Sequence, residues 1–299
     1  MELLNQFIFE TGPSVYEGRS IDNESFRAIM PAALSAPYVM YQMLALSALH
    51  LSRVRTVQSN HYREEATFLQ TEALSLFNDS WAEITTESCV PILLFSSLLS
   101  LHNLGEAVTA SETDAGGFLN RFVTNLNLHR GVRAVTSQSW QLLLQSNISF
   151  MLDRTERALN TTSLQSQEQV TFVTDRMHNM LDDADMGPES KQACCEAVES
   201  LQLVYQSESS IGETSTENAP GSIWTWPILL SGVFSDLLVK RRPEALIILC
   251  HYAVLLHRRR HIWLVRNAGQ MLISEITRFL GTYWFDWLDW PNQVLQDLH

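Results

Sequence analysis

The sequence predicts an all-α protein, and three observations carry that prediction. Apolar residues recur at helical spacing through most of the 299 residues. No stretch alternates Val, Ile or Thr between turn signals, as a half-buried strand would. The apolar runs are built from Leu, Met and Ala, which favour helix. A composition of 45% hydrophobic and 18% charged residues is globular and long enough for a sizeable core.

The elements follow in order. "PYVMYQMLALSALHLSRV" (Pro37–Val54) is apolar, free of glycine and opened by a proline suited to the first helical position. "HYREEATFLQTEALSLFNDSWAEI" (His61–Ile84) sets Ala66, Leu69, Ala73, Leu76 and Phe77 on one stripe. "TTESCVPILLFSSLLSLHNL" (Thr85–Leu104) opens with Thr-x-Glu capping chemistry and Pro91, then turns apolar with interleaved serines. A helix is expected from Gly117 to His129, stopped by Gly131 and followed by a second, shorter one. Residues 150–205 read as polar, amphipathic helix broken near Asp182–Ser190. "QSESSIGETSTENAPGS" (Gln206–Ser222) holds almost nothing apolar and is expected to be a flexible loop. Helices resume at "PILLSGVFSDLLVKRR", and the last, "GQMLISEITRFLGTYWFDWLDWP", is expected to end at Pro291. The expected organisation is one all-α domain over residues 1–299.

"PEALIILCHYAVLLHRRRHIWL" (Pro243–Leu264) poses a sharper question, because its first half is apolar on nearly every side. A membrane span needs about 20 apolar residues. Here Glu244 precedes the run and three arginines close it, so no span is expected. A short helix that is hydrophobic all round is one buried by other helices.

Charge excludes one class of function. The formal net charge is -13, whereas a nucleic-acid binder must neutralise phosphates. No direct DNA binding is expected from this chain. Cys89, Cys194, Cys195 and Cys250 form no CxxC pair and read as reduced thiols of an intracellular protein.

Most catalytic signatures are missing. There is no GxGxxG, GxxxxGK[ST] or GxSxG. Asp182-Asp183-Ala184-Asp185 lacks the spacing of a diphosphate-binding carboxylate pair and reads as solvated acid. His257-Arg-Arg-Arg-His261 has the i, i+4 spacing of a zinc pair, but the arginines between would repel a dication. It reads as a basic helix end meeting the negative end of the dipole. No cofactor and no metal are expected. His50, His102 and His251 lie in apolar helices, where a core histidine is the ordinary reading, and His251 has the most apolar surroundings. Six of the eight tryptophans follow Ser222: Trp224, Trp226, Trp263, Trp284, Trp287 and Trp290. An indole needs a partner for its N–H when buried, so such clusters suit pocket rims and interfaces as well as cores.

Several of these stretches together resemble one family. "MPAALSAPYVMYQMLALSALHLS", "HYREEATFLQTEALSLFN" with "ITTESCVPILLFSSLLSLHNL", and "WTWPILLSGVFSDLLVKRRPEALIILCHYAVLLHRRRHIWL" with "WFDWLDWP" resemble the fungal-specific regulatory domain found behind zinc-cluster DNA-binding modules. The likeness is greatest to the sterol uptake control, or sterol regulatory, branch. It runs from about Glu2 to Pro291, with little of it in residues 150–222. The resemblance implies an all-α regulatory domain with an internal hydrophobic cavity, a sterol, lipid or secondary metabolite as ligand, other transcription regulators as partners, and a location in nucleus or cytoplasm. The family's six-cysteine zinc cluster has no counterpart among the four cysteines here, so the chain is expected to lack that module.

The apolar run and its neighbouring tryptophans nominate His251, Tyr252, Leu255, Trp263 and Trp226 as ligand-lining residues. Two functional classes follow. One is a regulator that senses an apolar molecule and acts through protein contacts. The other is a repurposed pocket enzyme, an isomerase or cyclase on an apolar natural product, with His50, His102, His251 or Asp286 as acid–base candidates. No motif assembles those four, so no catalytic residue is assigned.

Overall fold

The computed structural model describes residues 1–15, 23–80, 84–113, 117–153, 167–209 and 222–297. Among them every regular element is a helix. The fold is all-α, as the sequence predicts. The chain forms two compact units. The first comprises Met1–Glu106, Gly131–Asp153 and Ile262–Leu264; the second comprises Ala107–Arg130, Arg154–His261 and Val265–His299.

The first unit opens with α1 (Glu2–Gln6), a π-helical turn (Phe7–Thr11) and α2 (Gly12–Val15). Next comes α3 (Asn23–Ser35), which meets α4 (Pro37–Val54) at a bend of 116°. Pro37 is the cause of the break. It pushes Ala36 out of the helical region to φ -120°, ψ 96°. Then α5 (Ser59–Ser80) folds back along α4, with the predicted stripe of Ala66, Leu69, Ala73, Leu76 and Phe77 turned inward.

Helix α6 (Cys89–Thr113) follows a turn in which Thr85 and Ser88 cap each other. The Ser88 N–H donates to Thr85 Oγ1 at 3.3 Å, and the Thr85 N–H donates to Ser88 Oγ at 2.9 Å. The capping box read from the sequence is therefore present, with Ser88 rather than Glu87 returning the bond. Tyr38, Phe77 and Phe95 join α4, α5 and α6 through ring contacts of 4.4–5.4 Å. Among the described residues α6 is the one single helix long and apolar enough to cross a membrane. It also carries His102, Asn103 and Glu106, and half of its apolar window is buried inside the protein.

One expected boundary fails at Gly131. Helix α7 (Phe118–Leu144) is continuous through it. A mid-helix glycine costs roughly 1 kcal/mol relative to alanine, too little by itself to end a long helix.

The second unit holds α8 (Gln167–Asp183), α9 (Pro188–Ser209), α10 (Ser222–Leu229), α11 (Gly232–Val239), α12 (Pro243–Arg258), α13 (Ala268–Leu280) and α14 (Phe285–Asp297). Glu275 of α13 caps the start of α7, accepting from the N–H groups of Phe118 and Leu119 at 3.2 and 3.0 Å. Helix α9 runs to Ser209, so the expected loop at 206–222 is helical at its first four residues; residues 210–221 lie outside the described part. The expected final helix is two helices. Gly281 divides them at φ +68°, a region that favours glycine. Helix α14 then continues past Pro291 to Asp297.

Helix α12 is the predicted central helix. Every residue from Glu244 to His257 is buried. Helices α8, α9, α11, α13 and α14 all pack against it. Pro243 occupies its first turn, and His257 and Arg258 occupy its last, as the basic helix end required.

Candidate functional site

The nominated residues fall in both units. His251, Tyr252, Leu255 and Trp226 belong to the second, around α12; Trp263 belongs to the first. In the second unit, α12 presents His251 and Tyr252 to different neighbours.

Tyr252 stacks on Trp226 with ring centroids 4.4 Å apart and planes 23° apart. Its hydroxyl donates to the Ile223 carbonyl at 2.8 Å. The Trp226 indole N–H donates to the Ala197 carbonyl at 2.9 Å. Both rings are buried, with polar ends tied to backbone oxygen. That is the arrangement a buried indole or phenol needs in order not to leave a donor unpaired. Leu255, one turn on from Tyr252, is fully buried.

His251 is 6% exposed and its Nδ1 lies 2.9 Å from the Ile247 carbonyl. A carbonyl only accepts, so this contact assigns the proton to Nδ1 and leaves Nε2 as acceptor. Burial drives the imidazole pKa down to about 4, and the nearby Arg176 pushes the same way, against the Ile247 hydrogen bond. The ring is therefore neutral at pH 7. It stacks on Trp290 at 5.6 Å, and Tyr205 joins the same indole at 6.0 Å while donating its hydroxyl to the His251 carbonyl at 2.7 Å. The Arg258 guanidinium lies 6.0 Å from the Trp290 ring. Tyr205 and Trp290 were outside the nominated set. Trp290 stands in the cluster after Ser222, but nothing in sequence pairs position 290 with 251.

In the first unit Trp263 packs beneath α4. Its ring stacks on His50 at 4.5 Å with planes 10° apart, and its N–H donates to Ser14 Oγ at 2.9 Å. His50 Nδ1 is 3.0 Å from Thr11 Oγ1 and 3.4 Å from Gln6 Nε2. Burial lowers the His50 pKa to about 4. The partners of His50 come from the end of α1 and the π-helical turn, a form of backbone that recurs at functional sites. Gly105 of α6 closes the wall: a Cβ there would lie 2.9 Å from Leu264 and 3.0 Å from Leu49. No spacing rule joins residues 6, 11, 50 and 263, so this cluster was invisible in sequence.

The acid–base candidates are not gathered in one unit: His251 and Asp286 belong to the second, His50 and His102 to the first. The thiols are poor nucleophiles. Burial raises the pKa of all four, that of Cys194 to about 12. Among the described residues no group of three His, Cys, Asp or Glu could hold a metal ion. His257 is buried at the close of α12 and His261 is exposed beyond it.

These features define the class: an all-helical domain in which the buried His50 and His251 imidazoles and the Trp226 and Trp263 indoles are stacked and hydrogen-bonded within the protein. The sequence profile of the Fungal specific transcription factor domain matches residues 2–177, more than half of the chain. The chain belongs to that family. It is also 22% identical, over 285 residues, to a Zn(2)-C6 fungal-type transcription factor of Gibberella zeae. That alignment covers 90% of this chain and 56% of the relative, so the chain spans little more than half the relative's length. No solved structure matches. Family and relative together support a transcription-regulatory role.

Proposed function

We propose that this chain is a regulatory domain of the zinc-cluster transcription-factor type that senses an apolar small molecule and passes its state on through protein contacts. The observation that carries the reading is the family match over residues 2–177. The ligand is a sterol, lipid or secondary metabolite, as the resemblance to the sterol regulatory branch implies. The net charge of -13 fits action through other regulators rather than through a direct grip on phosphates. The place of action is the nucleus or the cytoplasm.

On this reading His251, Tyr252, Leu255 and Trp226 of the second unit, and separately Trp263 of the first, are candidate lining that offers mainly ring faces and apolar surface. The polar groups of Tyr252, Trp226 and Trp263, and Nδ1 of His251, are already bonded within the protein.

The test is a reporter assay. The chain is fused to a heterologous DNA-binding module in yeast, and sterol supply is varied by depletion and feeding. The reading predicts reporter output that changes with supply and a variant response in Trp226→Ala. An output that stays at the level of the DNA-binding module alone, under every supply condition, contradicts it.

A further inference from the structure

Two polar side chains sit inside the first unit without a hydrogen bond. Gln42 of α4 and His102 of α6 are both 0% exposed. Both amide atoms of Gln42 and both ring nitrogens of His102 lack a hydrogen bond. A buried polar atom without a hydrogen bond has given up water without full compensation, a condition that native structures avoid. Two of them in one interface call for an explanation.

The register of the two helices sets them at a similar level. Tyr38 of α4 meets Phe95 of α6 with ring centroids 5.4 Å apart. Eleven residues later on α4, Leu49 faces Gly105, which is ten residues later on α6. The helices therefore run in the same direction with matched rise. Gln42 falls on the α4 stripe that carries Tyr38 and Leu49, at i, i+4 and i, i+7 spacing. His102 falls on the α6 stripe that carries Phe95 and Gly105, again at i, i+7 and i, i+3. At about 1.5 Å per residue, the two are offset by only about 5 Å along the interface. Around them Val39, Met43, Leu46, Leu49 and Phe95 are buried and apolar.

Glu106 completes the group. It lies one turn beyond His102, with a carboxylate oxygen 3.6 Å from His102 Nε2 and its side chain 41% exposed. That contact is slightly longer than an ordinary hydrogen bond, and the His102 side chain, directed at the carboxylate, holds the Glu106 carboxyl below the usual carboxylate range. A proton on Nε2, toward Glu106, leaves Nδ1 as a bare acceptor. Glu106, 41% exposed, also connects His102 to solvent.

We propose that Gln42 and His102 form a subsite in the α4–α6 interface for the hydroxyl group of a neutral, otherwise apolar small molecule. A hydroxyl is at once donor and acceptor. It donates to His102 Nδ1 and accepts from the Gln42 amide N–H, and the apolar body of the molecule packs against the surrounding side chains. The proposal rests on the ligand-sensing reading above and places a polar anchor for such a ligand within the first unit.

The test uses the full chain with 4-octylphenol, 4-octylanisole as its matched methyl ether, and the variants Gln42→Met and His102→Phe. Binding is read by thermal shift and native mass spectrometry. The expected result is one bound 4-octylphenol, with at least about tenfold weaker binding of the ether and of the phenol to each variant. Both ligand-free variants should melt no lower than wild type, because an unpaired buried polar group has been replaced by an apolar one of similar shape. Gln42→Met, the milder change, decides the matter if His102→Phe fails to fold. Equal binding of phenol and ether, or undiminished binding by folded variants, overturns the subsite and leaves ligand sensing to another location. Ordered water as the sole occupant in a crystal structure overturns it likewise. No phenol binding, together with no hydroxylated molecule in an organic extract of the wild type, overturns both the subsite and the sensing reading.

Discussion

His50 and His251 show how burial sets residue chemistry. Both pKa values fall to about 4, in each case chiefly by desolvation. A folded-state value below the unfolded value of about 6.5 means that the unfolded chain binds more protons between those limits. The stability contribution is therefore complete above about pH 6.5 and is lost progressively as pH falls toward 4. At about 1.4 kcal/mol per pH unit, each histidine sets a loss on the order of 3 kcal/mol. Urea midpoints measured from pH 7 to pH 4 should fall, and His251→Gln should flatten the fall. A midpoint independent of pH across that window would show that these rings are not held neutral by burial. The central character of His251 was readable in sequence from its apolar helix. Its fixed tautomer was not, because the Ile247 contact needs coordinates. Gln42 was not singled out in sequence, because an amide in a largely apolar helix does not by itself declare whether it is buried or bonded.

At the scale of elements, the long periodic helices were legible and their ends were less so. Pro37–Val54 and the run from Pro243 were readable because both are opened by proline and patterned throughout. Gly131 misled because a glycine signals a stop only where the chain turns, and here α7 continues through it. Gly281 does turn, at positive φ, yet sits within an apolar pattern that reads as continuous. Gly269 matters for another reason. A Cβ there would lie 2.4 Å from the His257 backbone nitrogen and 2.5 Å from the Ala253 carbonyl oxygen, so α13 crosses α12 in near backbone contact. Neither backbone atom can yield as a flexible side chain would. Gly269→Ala should destabilise by about 2–3 kcal/mol and lower the melting temperature by several degrees. A melting temperature equal to wild type would mean that the two helices are not packed that closely.

At the scale of the whole molecule, the family was legible from helical stretches spread along the chain, and the match over residues 2–177 bears out that part of the reading. The candidate site was legible only in pieces. Trp226 and Tyr252, 26 positions apart, do stack as a pair. Trp263 instead joins His50, Ser14 and Thr11 in the first unit, a grouping that no local pattern could announce. Regulation of the proposed kind requires a small apolar ligand. Native mass spectrometry of the purified 34.0 kDa chain, followed by organic extraction, tests that most directly. The account predicts a mass excess of one small molecule, recovered in the extract as an apolar compound bearing a hydroxyl. A mass equal to that of the bare chain, unchanged after incubation with sterols, would contradict it.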